Sequence, residues 1–372
     1  MPTLLVHPPE LLARAMAQRA PGLVVAHQPG QWAGDQDTPP DVRFELFPWR
    51  HKLHPLAIAT MHRLLTAHRP ALVHAFSPRG LAAAVLATSW IRNPPPILSF
   101  RGIATPPKRL DPANQITYLS RRVRGHACES EAVMRGLIAA GISAEKCRVV
   151  YNGDEPSWLN VQKRETVRQQ FGIPNNAFVV GTVANARPVK QIDVLLRAAH
   201  ACLDLDDLYV LLIGDIRDRK AAQLVRGGSW QGRLRLPGFV PLAGGLTPAF
   251  DLFVMPSRSE GLCRALLEAM SQNRCPIVSD GGGMKEIVRH RKEGLVVPSG
   301  DADALVASIR MLHRDRSLLA ALGNAAGRRV QERFQPDHLA DRILQMHRDY
   351  ATVEQPAARL TQAADAPARQ VA

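Results

Sequence analysis

Cysteine is scarce and unpatterned in this chain. Its five cysteines, Cys128, Cys147, Cys202, Cys263 and Cys275, are an odd number without C-x-x-C spacing, which argues against a disulfide framework or a zinc site and for reduced thiols in a reducing compartment. Long apolar runs are also missing. Stretches such as residues 81–86 break off well short of the roughly 20 residues a membrane-spanning helix needs. Neither a charged-then-apolar leader nor a lipidation motif stands at either end, so the expected location is the cytoplasm. No RNA-binding aromatic signature, helix-turn-helix or zinc-finger spacing accompanies the positive charge, which makes nucleic acid the least favoured anionic partner.

That charge is large and uneven. The net value is +14, and residues 1–150 hold 18 Lys and Arg against 9 Asp and Glu, with 29 against 24 in the remainder. A basic N-terminal half points to an anionic partner, an acidic membrane surface or an acidic glycan; that surface would be the inner face of the cytoplasmic membrane. The 372 residues suffice for two domains with full cores. Short apolar runs alternate with helical patterns along the whole chain, which predicts parallel sheets wound by helices. Strands are expected at residues 3–6, 22–26, 71–75, 96–100 and 147–151, then at 178–184, 208–213, 252–255, 276–278 and 295–297. Helices are expected at 10–18, 56–67, 80–90 and 131–140, then at 192–202, 262–271, 303–313, 318–333 and 336–350. The turn chemistry of Asn152-Gly153-Asp154-Glu155-Pro156 marks a boundary, giving an α/β chain with domains at 1–152 and 153–335. Residues 351–372, rich in Ala, Gln and Pro, read as disordered.

The most informative stretch runs from Met255 to Glu286. A strand end and the loop Pro256-Ser257-Arg258-Ser259 lead to Glu260-Gly261, expected to open a helix that carries Glu268. Two carboxylates eight residues apart on one helix lie about 12 Å apart along its axis. That is too far for a glycosidase-type carboxylate pair, at about 5 to 10 Å. It suits a long ligand held at both ends with an anionic middle over the helix N-terminus, the shape of a nucleotide sugar.

The segment Glu260-Gly261-Leu262-Cys263-Arg264-Ala265-Leu266-Leu267-Glu268 resembles the E-x7-E signature of the family-four retaining glycosyltransferases. Their GT-B fold is two facing Rossmann-like domains. Segments 275–280, 282–288, 293–298 and 300–301 follow that family's order, Gly181-Thr182-Val183 with Arg187 and Lys190 resembles its donor-phosphate loop, and 149–153 its inter-domain linker. The resemblance implies an N-terminal acceptor domain, a C-terminal nucleotide-sugar domain and a last helix, 336–350, that crosses back to the first. It implies that Glu260 bonds the donor sugar and Glu268 the ribose, with backbone amides of Gly261, Leu262 and Cys263 on the distal phosphate. Arg187 and Lys190 would neutralise the departing diphosphate. Phe239 would lie beside the base, although an isolated aromatic is more often core. Cys263 reads as a small residue rather than a nucleophile, and Glu286 as a helix N-terminal carboxylate or a weakly supported ligand contact.

On the acceptor side the chain departs from the family. His7-Pro8-Pro9 stands where a Gly-Gly loop is usual, and Arg101-Gly102 where a histidine is usual. Arg101 would then clamp phosphate or an acidic sugar, since it cannot act as a base. His74 is a second strand-end candidate; for both, a structural role stays open. Asp301-Ala302-Asp303 opens a helix and reads as capping rather than as a metal site, so neither metal nor cofactor is expected. The implied activity is retaining transfer from a UDP-, GDP- or ADP-sugar to a glycan or lipid-linked acceptor, in lipopolysaccharide or other surface-polysaccharide biosynthesis. A nucleotide-sugar 2-epimerase and a non-catalytic basic binding domain are the alternatives.

Overall fold

The structure, a computed structural model, describes residues 2–28, 42–47, 53–151 and 160–352. The turn at 152–156 and all but the first two residues of the 351–372 tail lie outside the described residues. Seven strands, β1 (Thr3–Val6), β2 (Leu23–His27), β3 (Arg43–Leu46), β4 (Leu72–Ala75), β5 (Ile97–Arg101), β6 (Val123–Cys128) and β7 (Cys147–Val149), form a parallel sheet in the order 3-2-1-4-5-6-7. Six more, β8 (Phe178–Val183), β9 (Leu208–Ile213), β10 (Leu234–Gly238), β11 (Leu252–Met255), β12 (Cys275–Ser279) and β13 (Leu295–Val297), form a second in the order 10-9-8-11-12-13, again parallel.

The helices of the first half are α1 (Glu10–Ala17), α2 (Pro55–His68), α3 (Pro78–Ala87), α4 (Pro112–Gln115) and α5 (Glu131–Ala139). Those of the second are α6 (Arg164–Gln170), α7 (Ile192–His200), α8 (Arg219–Gly227), α9 (Arg264–Ser271), α10 (Met284–Ile287), α11 (Ala302–Arg314), α12 (Arg316–Arg333) and α13 (Pro336–Thr352). Among the described residues no helix is long and apolar enough to cross a membrane.

Parallel strands buried on both faces explain the unbroken apolar runs. Leu208–Ile213 and Leu252–Met255 coincide with the sequence expectation, and both strands are almost wholly buried. The strands β3, β6 and β10 and the helices α4, α6 and α8 were not anticipated. Arg124, Gly125 and His126 interrupt the apolar pattern of β6, and β3 and β10 are edge strands with little burial.

Helix α13 packs on the first sheet. Leu339, Ala340, Ile343, Leu344 and Met346 share a core with Leu5, Leu12, Ala13, Met16 and Leu98, and Arg19 pairs with Asp341 at 3.2 Å.

Gly181, matched above to a phosphate loop, lies inside β8. A Cβ there would sit 2.1 Å from the Phe250 ring, so the glycine makes room for a buried aromatic rather than for a ligand. Gly181→Ala should lower stability by about 1–3 kcal/mol through overpacking. A urea midpoint equal to wild type would refute that account.

Candidate active site

In each sheet the strand order diverges once, between β1 and β4 and between β8 and β11. Ligands of open α/β sheets bind beyond the carboxyl ends of such strands. In the second sheet those ends carry the residues singled out by the sequence. After β8 the chain runs through Arg187 into a 3-10 turn, Pro188–Lys190, and after β11 it forms the loop 256–263. The amide of Arg258 donates to the Val189 carbonyl at 2.8 Å, so the two loops are tied. Across that junction Lys190 Nζ donates to Glu260 Oε1 at 2.6 Å, with side chains only 17% and 12% exposed. Arg187 is solvent-exposed beside them.

The helix does not open at Glu260. It starts at Arg264, with Cys263 at the N-cap and no side-chain cap. Residues 260–263 instead pack on the loop 281–283: the Gly283 amide donates to the Glu260 carbonyl at 3.0 Å, and a Cβ on Gly282 would meet that carbonyl oxygen at 2.2 Å. The axial separation assumed for a continuous helix therefore does not apply. Glu268 sits one turn into α9, 3.8 Å from Arg264 and largely shielded. At the start of α9 the Leu266 amide donates to the Cys263 carbonyl at 3.1 Å, while the amides of Arg264 and Ala265 precede any intrahelical acceptor, the arrangement that favours an anion. Cys263 is buried and burial pushes its thiol up to about 12, which fits a small protonated residue rather than a nucleophile. Leu262 is buried beside it.

Gly261 has a different neighbour from the one expected. A Cβ there would lie 2.0 Å from the Gly102 carbonyl oxygen and 3.3 Å from Glu129 Oε2, so the opposite domain, rather than a ligand, fills that space. Glu129 follows β6, is 8% exposed, and places its carboxylate at this contact, where a Cβ on Gly102 would stand 2.5 Å from it. The sequence reading missed Glu129 because it missed β6. Ser130-Glu131, an N-cap serine before an acidic first turn, was the available signal, and Ser130 Oγ does accept the Val133 amide at 3.2 Å.

Phe239 is 66% exposed just beyond β10, so the core alternative falls away and its ring is open to a planar ligand. Asp301 accepts the Ala304 amide at 2.9 Å, as a cap.

The structure corrects two candidates. His74 is fully buried on β4 beneath α13, where its own Nδ1 shares a hydrogen bond with Nε2 of His347 at 2.9 Å and Phe76 stacks on it at 4.3 Å. It serves the joint between sheet and helix, not the cleft. Arg101 is 5% exposed, donating from Nε to the Ile103 carbonyl at 3.1 Å and from Nη2 to that of Thr105 at 2.7 Å, with Cζ 4.4 Å from the Tyr118 ring centroid. Its guanidinium is committed to shaping the loop after β5.

The chain matches the family described as Glycosyltransferase Family 4 over residues 10–157 and that described as Glycosyl transferases group 1 over 163–329. It belongs to these glycosyltransferases. Solved structures agree on the architecture: Anabaena Alr3699/HepE in complex with UDP-glucose superimposes with a TM-score of 0.76 at 21% identity, covering 94% of this chain and 100% of that one, and both have the GT-B fold. The amylovoran biosynthesis glycosyltransferase AmsK of Erwinia amylovora is 28% identical over 220 residues, 56% of this chain and 52% of that protein. The lipopolysaccharide core biosynthesis glycosyltransferase LpsE of Rhizobium meliloti (strain 1021) is 26% identical over 180 residues, 48% of this chain and 52% of that one. The chain thus spans about half the length of the curated relatives it matches.

Burial keeps the structural histidines neutral. His126, whose Nδ1 lies 2.7 Å from Ser99 Oγ, and His347 are both lowered to about 4, mainly by desolvation. Between pH 4 and 6.5 the unfolded chain binds protons that the folded one does not, so stability rises with pH across that window and is lost on acidification. The loss should reach on the order of 2–3 kcal/mol per histidine. Denaturant titrations from pH 7 to 4.5 should show it, with a shallower slope in His347→Gln; equal slopes would exclude His347 as a source.

Proposed function

We propose that the chain is a retaining glycosyltransferase that moves a sugar from a nucleoside diphosphate to a glycan or lipid-linked acceptor of a surface polysaccharide. The observation that carries this is the half-buried Lys190–Glu260 pair at the point where β8 and β11 diverge, with the start of α9 beside it. In the resting state each partner orients the other. With donor bound, Lys190 and Arg187 face the diphosphate, Glu260 takes sugar hydroxyls, Glu268 the ribose and Phe239 the base. Amides of Gly261, Leu262 and Cys263 then meet the distal phosphate.

The reaction breaks the bond between anomeric carbon and phosphate oxygen. It forms a bond from that carbon to the acceptor oxygen on the same face, and the acceptor proton passes to the departing diphosphate. The negative charge that grows on the diphosphate is what two cations and a helix start stabilise, so no metal is required. The UDP and UDP-glucose complexes of the Anabaena protein support a uridine nucleotide as the first donor to try.

Incubation with UDP-, GDP- and ADP-sugars, with and without glycan acceptors, is the primary test. Transfer with retained anomeric configuration by NMR supports the proposal, epimerised donor in the absence of acceptor favours the isomerase, and no turnover favours a binding domain. Lys190→Ala together with Arg187→Ala should lower kcat by about 10²–10³-fold. Glu268→Ala should instead weaken UDP binding by about 1.5–3 kcal/mol by calorimetry, because a ribose contact is made in ground and transition states alike. Unchanged UDP affinity in the folded variant would remove Glu268 from the ribose.

The basic N-terminal half fits attachment to an anionic membrane. Lys108 and Arg109 adjoin Leu110, which is 97% exposed. Cations near such a surface contribute about 1 kcal/mol each. Co-sedimentation with anionic vesicles should fall at high salt and on changing Lys108, Arg109, Arg121, Arg122 and Arg124 to Gln; binding indifferent to both would exclude electrostatic attachment.

A further inference from the structure

Glu286 lies in the second domain but bonds the first. Its Oε2 accepts the Glu131 amide and its Oε1 the Ala132 amide, each at 2.8 Å, at the start of α5 across the cleft. Arg135 Nη2 adds a longer contact at 3.5 Å, and the carboxylate is 8% exposed. Together with Ser130 Oγ on Val133, three of the four free amides of that helix are satisfied, two of them by the opposite domain. The backbone carrying Glu286 is itself braced, since Arg329 donates to the carbonyls of Ile287 at 2.6 Å and Glu286 at 2.9 Å. The same short stretch connects to the signature, because Gly283 bonds the Glu260 carbonyl and faces Ser130, whose Oγ would stand 2.9 Å from a Cβ on Gly283. Tyr151, where the chain leaves the first domain, is also close: burial first, and then the Glu286 and Glu131 carboxylates, push its phenol up to about 12.

We infer that Glu286 is a positioning residue, a latch that holds the two domains closed by capping α5 and so sets the fraction of molecules in which the donor site is assembled. A carboxylate at a helix N-terminus is favoured by both the free amides and the dipole. On opening, the carboxylate and both amides must find water instead. The first domain abuts the proposed donor site at the Gly102–Gly261 contact, so opening removes one wall of that site and the apparent donor affinity is scaled by the closed fraction. The latch itself follows from the contacts above. Only its effect on donor binding rests on the function proposed for this cleft.

The test compares full-length wild type, Glu286→Ala and Glu286→Gln. Small-angle scattering of the ligand-free proteins should give a larger radius of gyration for Glu286→Ala and an intermediate value for Glu286→Gln, which keeps one acceptor without the charge. Calorimetry with UDP should show about tenfold weaker binding to Glu286→Ala. Saturating UDP should return its radius of gyration to that of wild type. A purely structural role would lower the melting temperature without changing the radius of gyration, and that outcome overturns the inference, as does a folded Glu286→Ala with unchanged scattering. If wild type fails to bind UDP, the proposed donor nucleotide is wrong, while the scattering comparison still decides the latch.

Discussion

The candidate active site follows from one constraint, the divergence of strand order at β8 and β11. Two adjacent parallel strands whose onward connections leave in opposite directions cannot fill the space beyond their carboxyl ends with either crossover. The loops that emerge there, 184–191 and 256–263, are forced together, and the Arg258–Val189 backbone bond fastens them. The Lys190–Glu260 pair of the second domain hangs from that seam. A lysine and a glutamate on the two loops meet because the sheet brings them there, although 70 residues separate them in the chain.

The second dependence is between domains. The signature glycine touches the backbone of the first domain, and the short helix α10 sends the Glu286 carboxylate into the first turn of α5. Glu260, Gly261, Gly283 and Glu286 therefore belong to one contiguous surface with Gly102, Glu129 and Ser130. A ligand entering this surface meets groups already bonded to one another, so binding exchanges partners rather than ordering free side chains, which keeps the conformational cost of binding low.

Much of this was legible in the sequence. Buried parallel strands announce themselves as unbroken runs, and Leu208–Ile213, Leu252–Met255 and Leu295–Val297 were readable for that reason. The E-x7-E spacing and the cations after β8 pointed to two loops that the structure joins through Lys190 and Glu260. The failures have physical causes. Arg124 and His126 disguise β6, and α8, Arg219–Gly227, is a polar surface helix with one buried alanine. Glu260 looked like a helix start because nothing local shows that residues 281–283 occupy its flank. His74 and Arg101 sit at strand ends in sequence, yet contacts 273 residues away and a tyrosine in the next loop decide what they do. The partnership of Glu286 with α5 spans 154 and 155 residues and leaves no local trace.

Helix α13 has a consequence for how the protein is made. The apolar face formed by Leu5, Leu12, Ala13 and Met16 leaves the ribosome more than 300 residues ahead of Leu339, Ile343 and Leu344, which cover it. At about 5–20 residues per second that interval is tens of seconds. During it the second domain, whose core draws on residues 167–334, can close on itself while the first remains uncovered. Of the two domains, the one synthesised first is thus the one completed last, and its apolar face stays uncovered in the nascent chain until α13 has been made.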